Sequence, residues 1–430
     1  MKTYQTWLRI AAISFMAFAI VACGDDAVDN GDGGNNGNGD EGELAYVAVG
    51  RFPVGESGTG YISYIEEFGE DVTLDLRDEG VELQGEPLAV AFGDDPYLYV
   101  GTTTSGVITR YEATETGFTP SGSVNLAAQG VDKINGYQAA LQLINKEKAY
   151  FLHEGSRQLV IWNPAELKVE GARKFTELAA QEGIIMQFAG FPLRVGKHLV
   201  YGIGWRSSVA GLTHIVEGAG ALVIDTETDV VTIIRDEDRC GYTLSVVEGS
   251  DGYVYLASEA LTAAAAYLDT NEVGAAKPTC LLRFDLESME IDPDYHFELS
   301  ALYAESHAFA GTIYPAKEKG KAYMMVLDED LIPPPSGPGH NVRTLTTYHS
   351  WLTYELTLGD EPSAVRIESL PPTGAGALLV QADDELYLPE FDNLDAATPR
   401  TFLRSYEGFE RGDVILTILG HTRSIAKVRR

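Results

Sequence analysis

Ala45-Tyr46-Val47-Ala48-Val49 is the first of seven short apolar clusters built around a tyrosine. The others are Leu98-Tyr99-Val100, Ala149-Tyr150-Phe151-Leu152, Leu199-Val200-Tyr201-Gly202, Tyr253-Val254-Tyr255-Leu256-Ala257, Ala322-Tyr323-Met324-Met325-Val326 and Leu386-Tyr387-Leu388. Successive tyrosines lie 53, 51, 51, 54, 68 and 64 residues apart. A near-constant period of this size marks a repeat architecture, because one repeat cannot bury its apolar face without its neighbours.

Around each tyrosine the rest of the repeat is also strand-like. A second cluster follows, ending at Tyr64, Tyr111, Trp162, Ile224, Phe284, Tyr354 and Tyr406 in turn. A third is clearest at 72–76, 230–235 and 414–419. A fourth, Gly-containing cluster precedes the next tyrosine at 87–93, 137–144, 189–195, 242–249, 310–316 and 376–381. Turn residues such as Gly93-Asp94-Asp95-Pro96 and Gly249-Ser250-Asp251-Gly252 separate them. Four strands per repeat and seven repeats predict an all-β, seven-bladed β-propeller with four antiparallel strands per blade. An open or eight-bladed array is the alternative. Only six copies of the Gly-containing strand are found, and the missing one belongs before Tyr46. The segment 422–428 is expected to supply it, closing the ring by pairing into the first blade and removing exposed sheet edges.

The chain has 430 residues, 31 Lys+Arg and 64 Asp+Glu, for a net charge of −33. That excess of acid argues against a nucleic-acid surface and against electrostatic attraction to anionic lipid. The N-terminus carries Lys2 and Arg9, then an apolar run over 10–22 that ends Ile20-Val21-Ala22-Cys23. A charged start, a short apolar stretch and a small residue before cysteine predict a lipoprotein signal peptide over 1–23, with Cys23 lipidated. Residues 24–43 hold seven acids, no base and only Ala27 and Val28 as apolar side chains. They form a flexible acidic tether with an r.m.s. reach of roughly 25 Å. The remaining propeller, 44–430, carries 57 acids and 29 bases. Gly24 rather than Asp follows the cysteine, which by analogy with lipoprotein sorting favours the outer membrane, on its periplasmic or surface face.

Lettering the strands of a blade A to D from the centre outwards makes the tyrosine strand B. The B–C and D–A loops then share one face, the top. The B–C loops of blades two and three are short, but those of blades four, five and six (202–220, 258–279 and 328–350) are long. Three consecutive insertions suggest a wall or lid over the central opening. Arg51, Arg157, Trp205, Arg206, Arg239, Arg343, Tyr348, His349 and Trp351 are the candidate ligand-binding residues on this face. Guanidinium groups suit anions, and aromatic rings suit planar ligands. Lys133, Tyr137, His214, Arg235, His307 and His340 are further top-face residues. Cys240, placed at the start of strand A of blade five, and Cys280, at the start of strand C, form either a disulfide or two buried thiols. The disulfide is favoured because Cys23 is committed to lipid, although strands A and C are about 10 Å apart in a flat ladder.

No HExxH, CxxC or complete G-x-S-x-G occurs, so no catalytic residue, metal set or cofactor is assigned. Arg239-Cys240-Gly241-Tyr242, Asp251-Gly252-Tyr253-Val254-Tyr255 and 278–285 (PTCLLRFD) resemble the lipoproteins associated with myxochelin siderophore clusters, the MxcI-like proteins. The resemblance covers most of 44–430 and is strongest over 239–331. It implies a non-catalytic, outer-membrane-anchored lipoprotein that binds a ferric siderophore or similar metal chelate in iron acquisition. A TonB-dependent outer-membrane transporter is the implied partner. The alternatives are an envelope protein-interaction or receptor-accessory propeller, and a metal-dependent propeller hydrolase.

Overall fold

The computed structural model describes residues 42–52, 58–135, 140–178, 181–207, 214–268, 279–302, 309–334, 340–375, 380–382, 385–392, 399–407 and 410–430. Cys23, the tether up to residue 41, Tyr137 and His307 lie outside them. The described chain forms seven sheets of four or five strands, the blades of a propeller. From the centre outwards, blade one is His421–Arg429, Leu44–Phe52, Thr59–Ile65 and Val81–Gln84. Blade two is Pro87–Ala91, Tyr97–Thr102, Ser105–Thr114 and Gly117–Asn125, and blade three is Leu141–Asn145, Lys148–His153, Gln158–Asn163 and Lys168–Lys174. Blade four is Ile184–Phe188, His198–Ser207, Glu217–Asp225 and Val231–Gly241. Blade five is Ser245–Glu248, Val254–Ala257 and Cys280–Asp285, with Glu290–Ile291 and Phe297–Glu298 sharing its outer edge. Blade six is Phe309–Pro315, Lys321–Leu327, Trp351–Thr357 and Ser363–Arg366. Blade seven is Val380–Ala382, Glu385–Asp392, Arg400–Glu407 and Glu410–Leu419.

The core lies between blades. Strand B alternates its side chains between two neighbours, so both faces are apolar. In blade one, Val47 and Val49 pack towards blade two, while Ala48 packs towards blade seven. The repeating tyrosine takes its place in this scheme. In Tyr99 and Tyr150 the ring fills the gap between blades, and the hydroxyl reaches the C–D turn of the next blade; the Tyr255 hydroxyl instead donates to Asp251 of its own blade at 2.6 Å. Tyr99 donates to Pro164 O (3.3 Å), and Tyr150 donates to Asp229 of blade four, which also takes Lys148 Nζ at 3.0 Å. From outside strand B, Tyr64 donates to Thr114 O at 2.9 Å and Tyr295 to Gly359 O at 3.0 Å. A buried hydroxyl needs a partner, and a turn carbonyl otherwise facing solvent supplies one.

The ring closes as the sequence leads one to expect. His421–Arg429 pairs antiparallel with Leu44–Phe52, from Leu44↔Arg429 to Arg51↔His421. Ile425 and Val428 are fully buried there. Arg430 forks onto Glu66 at 2.7 and 2.8 Å.

Two expectations are corrected. The cluster at 72–76 is not the outer strand of blade one. Thr73–Asp75 instead pairs parallel to Glu410–Leu419 on the outer edge of blade seven, in the register Thr73↔Thr417. A helical turn, Leu76–Glu79, then returns the chain to blade one, and its Leu76 is buried where these two blades meet. Cys240 does not begin strand A of blade five. It lies in the 11-residue strand D of blade four, whose pairing runs on through two bulges to Glu217↔Gly241. Its disulfide to Cys280 therefore joins adjacent blades, and the Cα atoms stand 5.4 Å apart. The flat-ladder spacing does not apply between different sheets.

Candidate binding site

The described parts of the three insertions pack together. That of blade five forms the helix Ala260–Leu268, made chiefly of alanine, and that of blade six forms Val342–Thr347. Asn341 and Thr344 close a capping box at the start of the latter, which fixes where it begins. Ala260, Ala263 and Ala264 pack with Val342, Leu345, Trp351 and, from blade four, Ile215. Alanine lets the two helices approach closely. The predicted wall is therefore a small core of its own, seated on blades four to six.

Beneath it is a cavity of about 370 Å³. Gln187 and Phe188 reach it from strand A of blade four, and Thr312 and Tyr314 from strand A of blade six. Tyr242 enters from the segment that leads into blade five. Glu259 and Leu261 come from the insertion of blade five, and Arg343 and Thr346 from that of blade six. The volume lies in the range of small-molecule sites.

Its polar groups are connected. Gln187 Oε1 accepts from Arg206 Nε at 2.9 Å and from the Tyr242 hydroxyl. Glu259 Oε2 accepts from Leu261 N–H at 2.8 Å. Glu259 faces the cavity but is walled in by protein, and this burial pushes its carboxyl up to about 7, against the pull of the Leu261 N–H and Arg206. Glu154 reaches towards the same arginine from the short loop of blade three, and its Oε1 accepts from Phe188 N–H at 3.0 Å. Glu154 keeps contact with water, yet the protein around it displaces enough solvent to raise its pKa as well, with the Phe188 N–H and Arg206 opposing.

The backbone is strained at the wall. Tyr242 has φ 54° and Thr312 has φ 64°. For a β-branched residue such as Thr312 this region costs of order 1–3 kcal/mol. It arises at a bulge between Gly311 and Ile313, and it turns the Thr312 hydroxyl to accept from Ala260 N–H at 2.8 Å. Such strain gathers where a ligand surface is held in a set shape.

Of the residues predicted from sequence, Arg343 lines the cavity and Arg206 braces its wall. Arg343 is exposed and makes no ion pair with a described residue. Trp205 and Trp351 are not the exposed stacking platforms expected. Trp205 is 7% exposed inside the core between blades three and four, with Arg235 over its ring at 4.7 Å. Trp351 is fully buried and donates Nε1–H to Leu345 O at 2.9 Å, holding the insertion helix to its blade. Arg239 is committed to Asp236 at 2.6 Å and to the carbonyls of Asp292, Pro293 and Tyr295. Arg51 pairs with Glu86 at 3.4 Å, away from the cavity. Arg157 has a positive φ of 50° and sits in the short loop of blade three. Tyr348 is half-buried beside His340, and His349 is exposed outside the lining. Lys133 is exposed near His153, whose own pKa is lowered by burial.

Sequence reasoning missed Gln187, Tyr242, Glu259 and Tyr314. Tyr242 and Tyr314 lie in clusters that read simply as strands, and Glu259 is one acid among many at the root of a loop. Cys240, Cys280 and His296 stand close enough for metal ligation, but both sulfurs are used in the disulfide.

No protein-family model matches the chain, and no curated protein sequence matches it. Many solved structures align with most of the chain at low identity. A protein from Lactobacillus plantarum has 9% identity and a TM-score of 0.48, over 90% of this chain and all of that one. AztD from Citrobacter koseri, in its apo form, has 10% identity and a TM-score of 0.38, over 90% and 98%. The WD40 domain of Toxoplasma gondii coronin has 10% identity and a TM-score of 0.42, over 89% and 79%. The architecture is thus established by this chain's own strand order.

Proposed function

We propose that this chain is a non-catalytic ligand-binding propeller, held at the outer membrane by lipid on Cys23, and that the cavity of blades four to six receives a ferric siderophore or similar anionic metal chelate. The observation that carries this reading is Arg343, a guanidinium at the cavity wall with no described acid paired to it, in a chain of net charge −33. Glu259 is compatible with an anion, because a carboxyl poised near neutrality can take up a proton as the ligand enters. It then donates a hydrogen bond instead of repelling. Phe191, half-buried in the cavity lining, offers ring surface in place of the buried tryptophans. The large acid excess opposes long-range attraction of such a ligand, so recognition must be local. A TonB-dependent transporter would be the partner that takes the chelate onward.

The test is retention of ferric chelates of the catecholate class by the purified full chain, read from their visible absorbance in equilibrium dialysis. Arg343→Glu should weaken binding at least about tenfold, since a reversed charge at close range exceeds ~1.4 kcal/mol. Arg239→Gln should leave it unchanged. If no chelate is retained, or if the two variants behave alike, the reading is wrong.

A further inference from the structure

We propose that the top of blade one, where it meets blade two, is a separate site for a small, doubly charged oxyanion of the phosphate class. Arg51 ends strand B of blade one, and Arg423 lies on the closing strand beside it. A bulge between Val49 and Gly50 leaves Arg423 out of the strand ladder, opposite no residue of strand B. Bulges re-aim side chains in this way. Both guanidiniums converge on one carboxylate, Glu86, at 3.4 Å from Arg51 and 2.5 Å from Arg423. Glu86 is pinned by the next blade, where its N–H donates to Thr103 Oγ1 at 3.0 Å. His421 sits directly across the ladder from Arg51.

The charge does not balance. Among the described residues two fixed cations share one acid, in a chain that has about two acids for every base. The hydrogen bonds do not balance either. Nε of Arg51 and Nε of Arg423 are both shut off from water without an acceptor. A buried, unpaired donor on a charged group is costly, and proteins rarely keep two side by side without use. The three charged side chains remain about a quarter exposed, so an incoming ion can reach the guanidinium ends. A carboxylate ligand would only repeat what Glu86 does. A doubly charged oxyanion can satisfy both forks at once and release Glu86. None of these residues lines the cavity of blades four to six. The proposal therefore stands apart from the chelate reading.

The experiment is calorimetric titration of the purified full chain with inorganic phosphate at low ionic strength, against sodium chloride at matched ionic strength. One saturable site is expected. Arg51→Gln and Arg423→Gln should each weaken it at least about tenfold, while Arg343→Gln leaves it unchanged. Glu86→Gln removes the competing carboxylate and should tighten binding by about tenfold. A gain of affinity cannot come from a variant that fails to fold, so this arm guards the others. The proposal is overturned if neither the parent chain nor Glu86→Gln binds phosphate saturably. It is equally overturned if Arg343→Gln loses binding as the blade-one variants do. Binding to phosphatidylglycerol vesicles without binding of free phosphate would also refute it.

Discussion

Removing residues 421–430 should bring the propeller close to unfolding. The deleted strand is paired along blade one from Arg429 to His421. Ile425 and Val428 within it are fully buried. Burying such side chains is worth ~1.5–3 kcal/mol each, or about 3–6 kcal/mol for the two. The lost ladder adds ~0.5–1.5 kcal/mol per hydrogen bond. Against a typical total of ~5–15 kcal/mol, the remainder is small. The truncated chain also exposes a bare edge on strand B, which invites pairing between molecules. The point variant Ile425→Ala isolates the packing part. Its side chain meets Ala48, Leu403, Leu416 and Ile418, so it links blades one and seven, and truncation to alanine should cost ~2–5 kcal/mol. Guanidinium unfolding curves measure both variants, and size exclusion reports association. A truncated chain that stays monomeric with the parent's midpoint would refute the closure argument. An Ile425→Ala midpoint indistinguishable from the parent's would refute the packing estimate.

Four further outcomes are expected. Tyr99→Phe should cost about 1 kcal/mol, because its hydroxyl is a clamp to Pro164 O of the next blade; Tyr150→Phe should cost slightly more, since its acceptor Asp229 is charged, with thermal denaturation as the assay. Replacing both Cys240 and Cys280 by Ser should cost ~3–4 kcal/mol for a cross-link spanning 40 residues, and reducing agent should destabilise the parent but not the variant. Glu259 holds its proton more tightly when folded, at about 7, than an unfolded glutamate near 4.3. The native state binds more protons between these values, so this residue makes stability fall as pH rises from about 4.5 through 7, and Glu259→Gln should remove ~1–3 kcal/mol of that decline in denaturation curves taken at pH 5 and pH 8. Gly101→Val should be strongly destabilising, because a Cβ at residue 101 would meet Ile134 at 2.4 Å, and circular dichroism melts would show it.

The propeller was legible because its strand B faces two blades at once. Burial on both sides turns period-two alternation into an apolar run, and the tyrosine marks it because a ring in an apolar slot between blades also brings a hydroxyl that turn groups such as Pro164 O, Asp229 and Asp251 can accept from. The partner of a strand is harder to read. Thr73-Leu74-Asp75 has the right local pattern for the edge of blade one, but pairing is decided by which edge is bare, and that edge belongs to blade seven. Cys240 was misplaced for a related reason: nothing local shows that strand D of blade four runs 11 residues. The wall over the cavity followed from loop length alone. Its tryptophan did not, since Trp351 in an insertion reads as a ligand platform until the insertion is seen to have its own core. Gln187 and Tyr242 carry no sequence signal as site residues because only the ring geometry brings strand A of blades four and six and the segment leading into blade five to one cavity.

Blades one and seven each borrow a strand from the opposite end of the chain. His421–Arg429 completes the first sheet, while Thr73–Asp75 extends the last. The contact between Arg429 and Gly42 O spans 387 residues. The first sheet therefore cannot finish until the nine-residue strand His421–Arg429 is in place, and the outer edge of the last waits for Glu410–Leu419 to meet Thr73–Asp75. Closure of the ring thus depends on distant pairings, which are slow to form. The same interlock means that neither His421–Arg429 nor Leu44–Phe52 can peel away without baring the other, so escape from the finished ring should be slow too, and the working lifetime of the fold would rest on that barrier.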